Sequence, residues 1–177
     1  MTKMKLITIT LAVALAMPIV AAAQTTASGT LTVNATVQSS ISLVFNSDAA
    51  GVVLGGAGTN AATMNLGTIS AYGPLSAGVG RSVTAGTSFT VTSPFDVQVD
   101  KSNITSSNYT LTAQLNAADA TNTWAISGSG VTNASATTLT ATGAYGSSTQ
   151  YTLGLTVPLT SGAGAISNIV NFAATAN

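Results

Sequence analysis

The chain of 177 residues has no cysteine and no histidine. Without them neither a Ser–His–Asp nor a Cys–His nucleophile can be assembled, and thiolate or imidazole metal sites are excluded. A disulfide scaffold is excluded too, so stability must come from packing and main-chain pairing. Charge is nearly as scarce, at 5% of residues, with no glutamate and four aspartates: Asp48, Asp96, Asp100 and Asp119. Carboxylate acid–base chemistry would have to come from these four. Asp96 and Asp100 share one face of an alternating segment, but four residues of strand hold them about 13 Å apart. The expectation is a non-enzymatic protein that needs no cofactor.

Basic charge and long apolar runs are also missing. The apolar stretch Leu6–Met17 follows Lys3 and Lys5 and precedes Pro18 and Ala21-Ala22-Ala23. It is shorter than the roughly 20 residues a membrane helix needs, and its small-residue end reads as a signal-peptide cleavage site after residue 23. The remaining 154 residues carry Arg81 and Lys101 against four aspartates, a net charge of −2. That leaves no basic footprint for nucleic acid or an anionic membrane, and no later segment long enough to span a bilayer. The expected destination is secretion.

Other candidate chemistry is thin. Asp100 with Asn103, or Asn46 with Asp48, could offer calcium oxygens at loop tips. Neither fits the D-x-[DN]-x-[DN]-G loop, and such residues are ordinary turn formers, so no metal is expected. The glycine stretches 55–58 and 161–164 lack a following Gly-Lys-Ser/Thr and read as loop tips. Trp124, Tyr109 and Tyr151 read as core or rim residues, with Tyr72 and Tyr145 in loops; a carbohydrate-stacking face is the competing reading. Asn34, Asn103, Asn108 and Asn133 begin N-x-Ser/Thr sequons, which arise readily in a chain this rich in Asn, Ser and Thr.

What is present is alternation. In Gly29–Phe45, GTLTVNATVQSSISLVF, the odd positions Leu31, Val33, Ala35, Val37, Ile41, Leu43 and Phe45 are apolar and only Ser39 is not. The even positions are polar except Val44. Period two over this length predicts strand with one face meant for a core. At about 3.3 Å per residue it would reach about 50 Å, several ordinary strands, so Gln38-Ser39-Ser40 is expected to divide it. Residues 24–40 are then an N-terminal extension and residues 41–177 a single domain.

Further strands are expected at Val52–Leu54, Met64–Ile69, Ser82–Thr92 and Phe95–Val99, with Pro94 as a corner between the last two. Others follow around Tyr109–Leu115, Thr123–Ile126, Thr137–Thr142, Tyr151–Val157 and Ile166–Thr175, with one helical turn conceivable at Asn116–Ala120. Eight or nine short strands separated by turn signals predict an all-β, antiparallel, immunoglobulin-like sandwich. Residues 29–37 could fold in cis as an edge strand, stay flexible, or complete a neighbour's sheet by β-strand addition.

Taken together, a signal peptide, an alternating Thr-rich N-terminal segment, one sandwich and an alternating last strand resemble pilin subunits. The similarity is to the chaperone–usher and spore-coat-U-like secreted types. The resemblance implies a sandwich lacking its last strand, completed by the next subunit's extension, so that copies polymerise head-to-tail into a pilus or fimbria serving adhesion or biofilm. It implies Leu31, Val33, Ala35 and Val37 as donor residues and Ile166, Val170, Phe172 and Ala174 as one side of an acceptor groove. A periplasmic chaperone and an outer-membrane usher are implied partners besides other copies of the chain. Two features depart from that family: no disulfide, and Phe172 lying five residues before Asn177 rather than nearer the end. The alternative expectation is a monomeric surface module, adhesive or carbohydrate-binding, with residues 29–37 folded in cis.

Overall fold

The computed structural model describes residues 28–177. The expected signal peptide, residues 1–23, and the lead-in to residue 27 lie outside the described residues. The chain divides into two units after Ala35. In the first, residues 28–35 carry no strand and are exposed. The second begins with four more strandless residues and then forms nine strands, with no helix among the described residues. The strands are β1 (Ser40–Ser47), β2 (Gly80–Thr84), β3 (Ser88–Ser102), β4 (Asn108–Leu115), β5 (Thr123–Ile126), β6 (Ser129–Val131), β7 (Thr137–Ala144), β8 (Ser148–Pro158) and β9 (Val170–Ala176).

They form a single antiparallel, immunoglobulin-like β-sandwich. One sheet has the order β1-β3-β8-β5-β6, with β2 also on β3; the other has the order β7-β4-β9. Strict alternation produces the core. Along β3, Phe89, Val91, Phe95, Val97 and Val99 are buried, and along β8, Tyr151, Leu153, Leu155 and Val157. The facing sheet contributes Tyr109, Leu111, Ala113 and Leu115 from β4, all buried. Trp124 and Ile126 of β5 join the same core.

Pro94 is not a corner. It lies within β3, opposite Thr152 of β8. On the other edge of β3, β2 covers Ser88–Thr92 and β1 covers Phe95–Ser102. Pro94 falls in the gap between those two partners, where a missing N–H forfeits no ladder bond. Its neighbour Ser93 is fully buried, and its Oγ accepts the main-chain N–H of Val52 at 3.0 Å. Gly51 lies so close that a Cβ there would come within 2.0 Å of the Pro94 carbonyl oxygen.

Four other expectations are corrected. Val52–Leu54 forms no strand, although Val52 and Leu54 are buried. Met64–Ile69 forms none either, and the last strand starts at Val170 rather than Ile166. Residues 116–120 make no helical turn. In the first two segments alternation reports one-sided burial, which packing alone supplies, and not a hydrogen-bonded neighbour.

Candidate functional site

The two sheets do not close on every side. Whereas β4 alternates between buried and half-buried residues, β9 has no buried residue, and Val170, Phe172 and Ala174 are only half covered. Beside them runs an open groove of about 1630 Å³, larger than the roughly 300–1,000 Å³ of small-molecule pockets. Its floor is the inner face of the larger sheet, including Phe89, Phe95, Leu153 and Leu155. One wall is the segment from Ser161 to Phe172; the other is the segment from Asn60 to Ala71. At one point an aromatic cluster spans it, with the Phe172 ring edge-on to Phe45 at 5.2 Å and to Phe95 at 5.9 Å.

The main chain of both walls is unsatisfied on the groove side. β9 pairs only with β4. Asn177 N–H donates to the Asn108 carbonyl and Asn116 N–H to the Ile169 carbonyl. With that antiparallel register, Asn171, Ala173 and Thr175 exchange bonds with β4, so Val170, Phe172, Ala174 and Ala176 direct their N–H and C=O groups to the free edge. On the opposite wall Thr63 exchanges both main-chain bonds with Gly55, at 2.8 and 2.9 Å. In extended chain the adjacent residues point the other way. Among the described residues no hydrogen bond engages the N–H or C=O of Ala62, Met64 or Leu66, whose side chains are half-buried against the core.

That second wall is strapped down at both ends. Phe45 N–H donates to the Thr59 carbonyl at 2.9 Å. Arg81, the one arginine of the chain, directs Nη1 to the carbonyls of Ser70 and Gly73 at 2.9 and 3.0 Å. The first sheet thus holds the wall at Thr59 and again at Ser70. The alternation of Met64–Ile69 marks this segment in the sequence, but as a strand and not as a groove wall; no motif marks the clamp by Arg81.

Of the residues the pilin resemblance singles out, Ile166, Val170 and Phe172 line the groove together. Ile166 does so from the segment before β9. Ala174 lies on the same face of β9, opposite Leu111, outside the lining. Leu31, Val33 and Val37 are 89, 78 and 74% exposed, and with Ala35 they lie in chain without strand structure. The anchor of the second unit follows directly: Ser39 Oγ donates to the Asn103 carbonyl at 2.6 Å, and Asn103 Nδ2 donates to the Gln38 carbonyl at 3.2 Å.

None of the carboxylates lines the groove itself, although Asp119 binds Asn122 and Trp124, which do. Asp119 is enclosed by donors: the main-chain N–H groups of Thr121 and Asn122, the Asn122 amide and the Trp124 indole N–H at 2.8 Å. Burial opposes its ionisation, but these donors outweigh that and hold its pKa at about 2. Asp48 is lowered by the Gln150 side-chain amide and by Ala50 N–H. Asp96 is raised, by burial first and then by the charge of Asp48. Tyr109, Trp124 and Tyr151 are core residues, and Tyr72 is exposed in a loop. Tyr145 packs on Tyr109 with ring centroids 5.2 Å apart and carries Lys101 Nζ 4.9 Å from its own centroid. Among the described residues, none of the carboxylates groups into a three-residue metal cluster, and no helix is long and apolar enough to cross a membrane.

No protein-family model, no curated protein and no solved structure matches the chain.

Proposed function

We propose that the chain is a structural subunit of an extracellular, pilus-like filament that polymerises head-to-tail by donor-strand exchange. One observation carries the reading. The sandwich has an open groove with an unsatisfied main-chain edge on each side, while the same chain holds a strand-patterned segment, residues 29–37, that forms no strand.

The fit is physical on three counts. A strand in the groove would satisfy the free main-chain groups of β9, and those of Ala62, Met64 and Leu66 opposite, which otherwise form open sheet edges. Its alternate side chains would meet an apolar floor, as Leu31, Val33, Ala35 and Val37 require. From Leu31 to Val37 is about 20 Å of extended chain, set against a groove whose β9-side wall runs from Ser161 to Phe172. Because the donor and acceptor patches differ, the contact is heterologous and propagates rather than closing a dimer. A surface of Thr, Ser and Asn with little charge opposes such association weakly. Secretion through a periplasm, a chaperone that shields the groove, an usher, and a role in adhesion belong to the same reading.

Deleting residues 24–37 tests it. The variant is expected to fold, since β1 begins at Ser40, but to form no filaments by negative-stain electron microscopy. A synthetic peptide of residues 28–39 is expected to bind it and raise its melting temperature. A deletion variant that is unstable and ignores the peptide would place residues 29–37 in cis, leaving a monomeric surface-binding module as the better account.

A further inference from the structure

The wall formed by residues 60–69 has the makings of a strand in its own right. Ala62, Met64 and Leu66 alternate inward with exposed Ala61, Thr63 and Asn65, yet only Thr63 makes a β-bridge. It faces the free edge of β9 across the groove, so two unsatisfied edges look at each other with no strand between them. The segment is tied at Thr59 and Ser70, and within or beside those ties Gly58 and Gly67 take φ values of 80° and 67°. Those angles are open to glycine and strained for other residues. Gly58 also has no heavy atom within 4 Å of where a Cβ would stand, so nothing packs against the turn that would have to bend.

We propose that residues 61–67 are a latch: besides the wall position of this structure they have a second one, across the groove and paired with the outer edge of β9, from which an incoming strand must displace them. This rests on the groove being the acceptor, and adds how a lone subunit protects that groove. Closure would break the two Thr63–Gly55 main-chain bonds and in exchange satisfy the main chain of Ala62, Met64 and Leu66 and of Val170, Phe172 and Ala174. It would also carry Met64 and Leu66 over Phe172 and Phe95, so the exposed apolar floor is covered by the chain itself. Latch and donor compete for one edge, and a subunit is receptive only when the latch is displaced.

The absence of cysteine makes the test clean. In the full chain carrying Val33→Asp, which on the proposed function cannot donate, the pair Asn65→Cys with Asn171→Cys or with Ala173→Cys is introduced. All three positions are exposed; because Asn65 Oδ1 accepts the Gly67 N–H at 2.9 Å, the melting temperature of Asn65→Cys alone is checked against the parent first. Facing residues on paired strands have Cβ atoms about 4.5–5.5 Å apart, within disulfide reach. Across a vacant strand position the gap is about 9.5 Å and no bond forms. Mild oxidation, read by non-reducing electrophoresis and peptide mapping, is expected to give an intramolecular disulfide in at least one pairing. Asn65→Cys with Thr112→Cys, one strand further in, should give none.

Adding a peptide of residues 28–39 is expected to slow the bond at least tenfold. If neither pair oxidises while the peptide still binds, the latch is wrong and the acceptor groove stands. If a pair oxidises and the peptide has no effect, the latch exists but the groove does not take that strand. If nothing oxidises and no peptide binds, both ideas fall.

Discussion

The sharpest quantitative consequence concerns Val33→Asp against Thr32→Asp. The two positions are adjacent and would face opposite sides of a donated strand. Val33 is 78% exposed in the described structure, so a charge there should change the stability of the isolated subunit by no more than about 0.5 kcal/mol, as for ordinary surface sites. In a groove floored by Phe89, Phe95 and Leu155 the arithmetic differs. Losing the buried valine removes about 1.5–3 kcal/mol. Burying a carboxylate there without a partner adds at least 2 kcal/mol, or forces its protonation. The sum is about 4 kcal/mol or more per junction, close to a thousandfold in the subunit-addition constant.

Thr32→Asp, on the solvent side, should change that constant by less than about threefold, which corresponds to the same 0.5 kcal/mol surface range. Urea titration of the monomers supplies the first readout. Critical concentration by sedimentation, together with SDS-resistant ladders on gels, supplies the second. The reasoning fails if Val33→Asp destabilises the monomer by about 2 kcal/mol or more, because that would mean Val33 is buried in its own domain. It fails equally if both substitutions leave assembly unchanged.

Ser93→Ala should destabilise the fold by about 1–3 kcal/mol in chemical denaturation, because it strands the buried N–H of Val52; Ser93→Thr, which keeps the acceptor oxygen, should recover part of that loss. Gly143→Ala should be more damaging than its position near the end of β7 suggests, by about 1–3 kcal/mol, since the new Cβ would fall 2.3 Å from the Tyr109 ring; a melting temperature within a degree of the parent would contradict it. Asp119 has a folded pKa of about 2, below the roughly 3.9 of an unfolded aspartate. It therefore contributes stability that is full above about pH 4 and lost as pH falls towards 2. Asp119→Asn should lower stability at neutral pH and flatten that acid limb, and parallel pH profiles for the two proteins would refute the assignment.

How far residues disclose their own surroundings can be followed strand by strand. β3, β4 and β8 are legible because one face of each is buried, so Tyr109 to Leu115 and Tyr151 to Val157 carry an unbroken apolar period of two, and Phe89 to Val99 one interrupted only by the buried Ser93. The same period in Met64–Ile69 misleads, because side chains packing on a core need no hydrogen-bonded neighbour. Pro94 misleads in the opposite sense. Proline is excluded only where a ladder partner waits for its N–H, and whether one waits depends on where β2 ends and β1 begins. Neither boundary is a local property of Pro94. The groove residues follow the same division: Val170 and Phe172 lie in an alternating run, whereas Ile166 reaches the groove from irregular chain. Arg81 carries no motif, since its partners are two main-chain carbonyls that any sequence would present.

Segments patterned as strand but lacking a ladder bear on the function proposed: among the described residues they include 29–37, Val52–Leu54 and 61–67. Residues 29–37 and 61–67 have the periodicity of a sheet member and no strand beside them, Thr63 alone making a bridge, to Gly55. Between β9 and residues 61–67 there is a place for a strand and no strand in it. A monomeric sandwich that had no further use for those edges would gain about 0.5–1.5 kcal/mol for each main-chain bond it closed. Selection for monomer stability alone would have little reason to leave seven residues of β9 unpaired on one side. On the proposed function the unmade pairings are a reserve for an intermolecular strand, which would add to a fold that no disulfide braces.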